Sequence, residues 1–362
     1  MRYFESWDDS EVILAMTKAV KVRNLMIGGG APVSIQSMTN TKTSDAKATI
    51  AQISALEKAG VEIVRVSVND EAAAKALPEI RAATNLPLVA DIHFDHKLAI
   101  ASIENGVDKV RLNPSNIGSE RAVESVVTAA KRHRIPIRVG VNGGSLEKKA
   151  RDAYGFGAKA LAASALENVK LLEKFGFYDI VISAKCSSVQ TNVEAYRLIA
   201  KECDYPLHVG VTEAGGGEIA LAKSYAGIGA LLLDGIGDTI RVSLTGDPVR
   251  EVYAADNLLK AIGLKKNFVD VISCPTCART EIDVLSFSEK IKEATKDIKK
   301  HYTVAVMGCV VNGVGEGSNA DAGVAGGKEK SAIMKGGKII KTVPNENILP
   351  ELLSIIEEDL RD

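Results

Sequence analysis

The sequence predicts an α/β protein, a (β/α)8 barrel of the TIM type followed by a small α/β domain. Three observations carry that prediction. Between residues 33 and 262, eight short runs rich in β-branched residues alternate with longer stretches of helical periodicity, the pattern of βα units feeding a parallel sheet. Eight such units in about 250 residues match the size of a closed barrel. After a Gly263-Leu264-Lys265-Lys266-Asn267 linker the alternation starts afresh over roughly 90 residues, an ordinary domain length. The expected divisions are a barrel over 1–262, a linker over 263–268 and a second domain over 269–362.

Residues 17–32 read as a hairpin, with strands over 18–22 and 25–27 closed by Gly28-Gly29-Gly30 and Pro32, placed to plug the lower end of the barrel. Residues 1–16 predict no element. Barrel strands are expected at 33–36, 62–66, 87–91, 109–112, 135–141, 178–183, 207–211 and 239–243, with helices such as 46–59, 71–83, 120–133, 189–201 and 248–262 between them. An open doubly wound sheet is the competing arrangement. Gly28-Gly29-Gly30, however, precedes a strand and opens no helix, so the dinucleotide-binding fingerprint is missing. In the second domain strands are expected at 269–272, 303–307 and 338–343 and helices at 286–299 and 346–360, with a glycine-rich stretch before the last strand.

The 362 residues are 46% hydrophobic and 25% charged, enough to bury a large core. A net charge of -1 and 4% aromatic residues argue against general nucleic-acid binding, which uses basic patches and stacking rings. No apolar run reaches the roughly 20 residues of a membrane span, and the acidic start is unlike a signal peptide. A cytoplasmic protein is expected. The five cysteines, Cys186, Cys203, Cys274, Cys277 and Cys309, are odd in number and unevenly spread, which suits metal or redox chemistry better than a disulfide framework.

Chemistry in such a barrel collects where strands run into their following loops, and those places are polar here. Arg65 interrupts Ile63-Val64-Arg65-Val66; Asp91 and His93 close the next strand, Arg111 and Asn113 the fourth, Arg138 and Asn142 the fifth. Lys185 ends the sixth, Thr212 and Glu213 the seventh, Arg241 and Ser243 the eighth. A single strand arginine usually points outward to a helix carboxylate. Five cations at similar places on five strands imply an anionic ligand instead, because a buried unpaired cation is costly and the guanidinium fork matches phosphate oxygens. The mouth is read as a site for a small molecule bearing a diphosphate. His93 is a proton donor, an anion contact or a hydrogen-bonded structural residue; Asp91 and Glu213 are acid–base groups or orient the cations.

Cys274-Pro275-Thr276-Cys277 is a C-x-x-C pair open to zinc, to thioredoxin-like redox chemistry or to an iron–sulfur cluster. Cys309 lies among small residues that let backbone approach closely. His301 would complete a Cys3His zinc site. Glu316, seven residues after Cys309, is the nearest acidic candidate for a fourth cluster ligand, and a carboxylate holds cluster iron more weakly than a thiolate. Cys186 and Cys203, within the barrel, are expected to be structural.

With these residues in view, the chain from about Lys18 onward resembles the 4-hydroxy-3-methylbut-2-enyl diphosphate synthase family. The stretches that carry the resemblance are Gln36-Ser37-Met38-Thr39-Asn40-Thr41, Ala90-Asp91-Ile92-His93-Phe94, Val110-Arg111-Leu112-Asn113-Pro114 and Ile137-Arg138-Val139-Gly140-Val141-Asn142. Gly210-Val211-Thr212-Glu213-Ala214-Gly215, Ser273-Cys274-Pro275-Thr276-Cys277 and Cys309-Val310-Val311-Asn312-Gly313 follow in the same order. The resemblance implies a barrel that binds 2-C-methyl-D-erythritol 2,4-cyclodiphosphate, with Arg65, Arg111, Arg138, Lys185, Arg241 and Ser243 among its contacts. It also implies a [4Fe–4S] cluster on Cys274, Cys277, Cys309 and Glu316, with electrons delivered singly by ferredoxin or flavodoxin. A head-to-tail homodimer is implied too, one subunit's small domain covering its partner's barrel mouth. Val314 stands where the family has proline, and Cys186 follows Lys185 where the family has alanine. The chain lacks a large insertion between its domains, as in the two-domain bacterial form. Two other readings use the same residues: a non-redox, pteroate-synthase-like barrel with a structural zinc domain, and an iron–sulfur sensor.

Overall fold

The structure is a computed structural model that describes residues 16–146 and 148–361, apart from the side chains of residues 145, 312, 314, 316 and 318. The chain divides into two compact units, with the boundary between Leu264 and Lys265.

The first unit opens with an antiparallel hairpin, β1 (Val20–Val22) and β2 (Leu25–Ile27). Eight parallel strands follow: β3 (Ser34–Met38), β4 (Ile63–Ser67), β5 (Leu88–Asp91), β6 (Lys109–Leu112), β7 (Ile137–Asn142), β8 (Ile180–Lys185), β9 (His208–Val209) and β10 (Thr239–Ile240). Their order in the sheet is β8-β7-β6-β5-β4-β3-β10-β9. A single bridge between Ile182 and Leu207 brings the two ends together, so the expected barrel is present and nearly closed. The seam is reinforced by Tyr196, whose hydroxyl accepts from the Ala184 amide (3.1 Å) and donates to the His208 carbonyl (2.7 Å).

The crossovers are α1 (Ala46–Lys58), α2 (Glu71–Ala82), α3 (His96–Glu104), α4 (Glu120–His133), α5 (Lys148–Tyr154) with α6 (Ala158–Lys174), α7 (Val189–Glu202), α8 (Gly217–Leu233) and α9 (Pro248–Ala261). Six of them start at an Asp or Ser whose side chain accepts from a first-turn amide, namely Asp45, Asp70, Asp95, Ser119, Ser188 and Asp247, which fixes where each helix begins. β9 and β10 are shorter than the sequence predicts and end before Gly210 and Arg241, where the two chain segments pack closely. A Cβ on Gly210 would lie 2.5 Å from the Arg241 carbonyl oxygen.

Val22 and Ile27 of the hairpin are buried in one cluster with Ile63 and Val89 near the starts of β4 and β5, so the hairpin packs against the lower end of the barrel.

The second unit contains β11 (Val269–Ser273), α10 (Val284–Thr295), β12 (Tyr302–Met307), α11 (Val310–Gly315), β13 (Ala322–Ala325), β14 (Lys330–Lys335), β15 (Lys338–Pro344) and α12 (Ile348–Leu360). Its sheet runs β11-β12-β13-β14-β15, parallel across the first three strands and antiparallel across the last two pairs. β13 and β14 occupy the stretch that reads in sequence only as glycine-rich. The reason is close packing: a Cβ on Gly323 would lie 2.8 Å from the Ala305 carbonyl oxygen, so this strand position takes no side chain. Buried residues of α10 and α12, including Ile291, Leu352 and Ile356, share a core with β11, β12, β13 and β14.

Truncating the plug tests its contribution: Ile27 is fully buried, and Ile27→Ala is expected to lower stability by about 2–5 kcal/mol, read as a lower urea midpoint at unchanged slope.

Candidate active site

Arg65, Arg111, Arg138, Lys185 and Arg241 all line one cavity of about 220 Å³ at the C-terminal ends of the strands, together with Asp91, His93, Asn142, Thr212 and Ser243. A neighbouring cavity of about 260 Å³ is lined by His93, Arg111, Asn113, Asn142 and Glu213. The strands thus gather every mouth residue expected from the sequence into two adjoining spaces that share His93, Arg111 and Asn142.

Asp91 is the hub. Its Oδ1 lies 2.9 Å from Arg111 Nη1, and its Oδ2 lies 3.7 Å from Arg65 Nε and 3.5 Å from His93 Nε2. Burial alone would raise this carboxyl, but Arg65, the His93 hydrogen bond and Arg111 hold it well below the ordinary carboxylate range. His93 is half-exposed and tilts against Phe94 at 5.9 Å between ring centroids, so it faces the cavities rather than the core. Glu213 has a left-handed backbone, φ 55°, which a glutamate adopts only at some cost in strain. Asn113 is buried, with its Oδ1 accepting from the Ser115 amide.

The cations carry more charge than their carboxylates answer. Burial, only partly offset by Asp91, together with the charges of Arg241 and Arg111, pushes Arg65 down to about 10. Lys185 and Arg138 are held well below their ordinary values, first by burial and then by neighbouring cations. Arg138 gives one Nη1 hydrogen bond to Ser183 Oγ (2.8 Å), while its Nε and Nη2 have no partner among the described residues. The lumen beneath stays polar. Gln36, Lys109 and His208 are buried two residues before Met38, Arg111 and Gly210 on the same strand faces, and Lys109 Nζ has no partner among the described residues.

Several residues that build this mouth are given no role by the sequence reading. Glu251 of α9 pairs with Arg241 through both carboxylate oxygens (3.2 and 3.3 Å) and also accepts from Ser37 Oγ and the Leu244 amide. Its signal was a glutamate inside the otherwise apolar stripe Pro248, Val252, Ala255 and Leu259. Gly140 in β7 and Gly210 just after β9 are glycines whose role is space. A Cβ at 140 would lie 2.2 Å from Arg111 Nε, and one at 210 would lie 2.7 Å from Lys185 Nζ.

In the second unit, Cys274 and Cys277 follow β11 and Cys309 follows β12, so the thiols leave neighbouring parallel strands at the same edge. The Gly308 amide donates to Cys274 Sγ at 3.2 Å. The Cys277 thiol is lowered by hydrogen bonds from the Arg279 backbone and side chain. A Cβ on Gly326 would lie 2.6 Å from the Gly308 carbonyl oxygen, so backbone is packed tightly around Cys309. Amides directed at sulfur, small residues and thiols on adjacent loops fit the donor set of an iron–sulfur cluster. Among the described residues no three ligating side chains already converge on one point, and the side chains of Glu316 and Val314 lie outside the described residues. The zinc alternative through His301 fails on geometry: His301 precedes β12 and Cys309 follows it, so a six-residue strand, ~20 Å long, separates them. Cys186 and Cys203 donate to the Ser188 and Ile199 carbonyls, and burial raises both thiols.

The electrostatic load at the mouth has a measurable cost. Lys185 is lower in the folded protein than in the unfolded chain, so its penalty is full below the folded value and fades as pH rises toward the unfolded one. Lys185→Met is therefore expected to raise the thermal midpoint of the ligand-free protein, by about 2–4 °C per kcal/mol relieved, with a gain that shrinks as the pH is raised.

A family model described as the GcpE TIM-barrel domain matches residues 17–256, and one described as the GcpE protein C-terminal domain matches residues 270–358. The chain is 55% identical over 348 residues to the "4-hydroxy-3-methylbut-2-en-1-yl diphosphate synthase (flavodoxin)" of Caldanaerobacter subterraneus subsp. tengcongensis, covering 96% of this chain and 98% of that one. It is 52% identical over 347 residues to the protein of the same name from Fusobacterium nucleatum subsp. nucleatum, with the same coverage of 96% and 98%. Among solved structures, a truncated 3-deoxy-D-arabino-heptulosonate 7-phosphate synthase from Thermotoga maritima is similar with a TM-score of 0.50 at 14% identity, over 68% of this chain and 94% of that one, a likeness of barrel fold alone. Matched by both domain models and by relatives of more than half identity along nearly its full length, the chain belongs to the GcpE family.

Proposed function

We infer that the chain converts 2-C-methyl-D-erythritol 2,4-cyclodiphosphate to 4-hydroxy-3-methylbut-2-enyl diphosphate by reductive ring opening and dehydroxylation, in the methylerythritol phosphate route to isoprenoids. The observation that carries the reading is the mouth, where five cations meet two carboxylates and the oxygens of one of these, Glu251, are already engaged by Arg241, Ser37 and Leu244. A diphosphate supplies the missing negative charge, and arginine forks suit its oxygens. Non-redox, pteroate-synthase-like chemistry is not favoured, since the relatives are synthases named for an electron carrier and His301 stands a strand's length from Cys309.

In this reading Arg65, Arg111, Arg138, Lys185 and Arg241 hold the phosphates, with Ser243, Thr212, Asn142 and Asn113 as neutral contacts. Asp91 fixes the two arginines and His93 around itself. Loss of a hydroxyl as water consumes a proton, and His93 and Glu213, which face the neighbouring cavity, are placed to hold it. Cys274, Cys277, Cys309 and Glu316 would hold a [4Fe–4S] cluster, which supplies single-electron transfer to the bound substrate. Flavodoxin is the proposed donor, as in the names of the relatives, with ferredoxin as the second carrier to be tried.

A head-to-tail homodimer in the cytoplasm is the proposed assembly. Each unit carries apolar side chains exposed at its own chemical end: Phe94 and Ile219 on the barrel, Val310 and Val311 beside Cys309. No helix among the described residues is long and apolar enough to cross a membrane.

Anaerobic purification is expected to give a brown protein containing iron and acid-labile sulfide that turns over the cyclodiphosphate with dithionite or reduced flavodoxin. A colourless, zinc-loaded protein without turnover would sink the reading. Glu316→Ala is expected to keep much of the cluster absorbance and lose nearly all activity; full activity in that variant removes Glu316 from the site. Diphosphate binding is expected to raise Lys185 from its lowered position, so protons are taken up where the pH lies between the lysine's free and bound values, and affinity falls as pH rises through that range. Calorimetry in buffers of different ionisation enthalpy reads that uptake directly.

A further inference from the structure

Met38 ends β3, and β3 lies between β10 and β4 in the barrel. Arg241 follows β10, and Arg65 stands opposite Met38 in the β3–β4 ladder. The Met38 sulfur is 3.1 Å from Arg65 Nε and 3.0 Å from its Nη2, and Arg241 Nη1 approaches the same sulfur to 3.8 Å. Among the described residues, the other polar partner of the Arg65 side chain is Asp91, at the longer distance of 3.7 Å.

We propose that Met38 is a positioning residue for the diphosphate, its thioether setting the guanidinium groups of Arg65 and Arg241 in the mouth without neutralising either. The proposal rests on the diphosphate reading of that mouth. Its argument is the chemistry of the acceptor. A thioether is neutral, polarisable and a weak acceptor. A carboxylate in its place would pair with the arginines and cancel the charge the ligand needs, as Glu251 already does on the other side of Arg241. A leucine would leave the buried Arg65 donors facing hydrocarbon, where an unmade hydrogen bond is expensive. Sulfur meets the donors and leaves the positive charge available. Methionine is also unbranched with three rotatable bonds, so it follows the guanidinium groups as they turn onto a ligand.

The test is binding of inorganic pyrophosphate to the anaerobic holoenzyme by calorimetry, with turnover measured alongside. Wild type is expected to bind; failure there overturns the diphosphate reading itself. With that binding in hand, Met38→Leu is expected to weaken it about tenfold, the low end for losing an acceptor to charged donors, and to lower the thermal midpoint of the ligand-free protein. Met38→Gln, a neutral acceptor of similar length, is expected to recover affinity to within about threefold, and Met38→Glu to abolish it. In turnover, Met38→Leu raises KM and leaves kcat within about twofold, the signature of lost uniform binding. Equal affinity in wild type and Met38→Leu overturns the proposal, as does equal loss in the Leu and Gln variants, which would mark a packing role. Independently of any variant, the Met38 methyl resonance of the wild type is expected to shift as pyrophosphate is added, and a resonance that stays fixed at saturation also overturns it.

Discussion

Five cations drawn into the end of a narrow barrel repel one another, and much of the first unit is arranged to tolerate that repulsion until a ligand arrives. Asp91 touches two arginines and a histidine at once, Glu251 takes one edge of Arg241 with both its oxygens, and Met38 receives what remains of Arg65. Strand alternation makes the arrangement possible, since every second residue of a barrel strand faces the lumen, so charged residues at the last inward positions line a mouth. The apolar hairpin cluster of Val22, Ile27, Ile63 and Val89 closes the other end, away from the cations.

The barrel and its cations were legible in sequence because both leave periodic traces. β-Branched runs alternate with helical stretches, and a charged residue within a run of Ile and Val is conspicuous. The partners of those cations were not legible. Glu251 lies some ten residues past Arg241, on a helix whose apolar stripe it interrupts, and only the fold turns that interruption into an ion pair. Ser37 and Met38 stand in a stretch that carries the family resemblance, but nothing in the sequence shows which charged groups they meet. Gly140 and Gly210 also stand in stretches that carry the resemblance, and only three dimensions show them as the space into which Arg111 and Lys185 fit.

In the second unit the thiols were legible by type and spacing, and parallel pairing of β11 with β12 brings their loops to one edge. β13 and β14 were not legible, because positions where strands approach closely are filled by Gly and Ala, which carry little β signal. The place of His301 was also beyond the sequence: spacing alone left it open as a ligand, while strand length puts it at the far end of β12 from Cys309.

The glycines beneath the cations have a consequence for any compound that imitates the diphosphate. On the proposed reading of the mouth such an inhibitor would rest on Arg111 and Lys185, and the usual route of escape is to grow a side chain into the floor of the pocket. At residues 140 and 210 that route is closed, because an added methyl group collides with the cation before it reaches the drug. Resistance there and loss of the natural ligand would arrive in the same mutation. Escape is left to the periphery, among residues such as Asn116 and Gly144 that line only the neighbouring cavity.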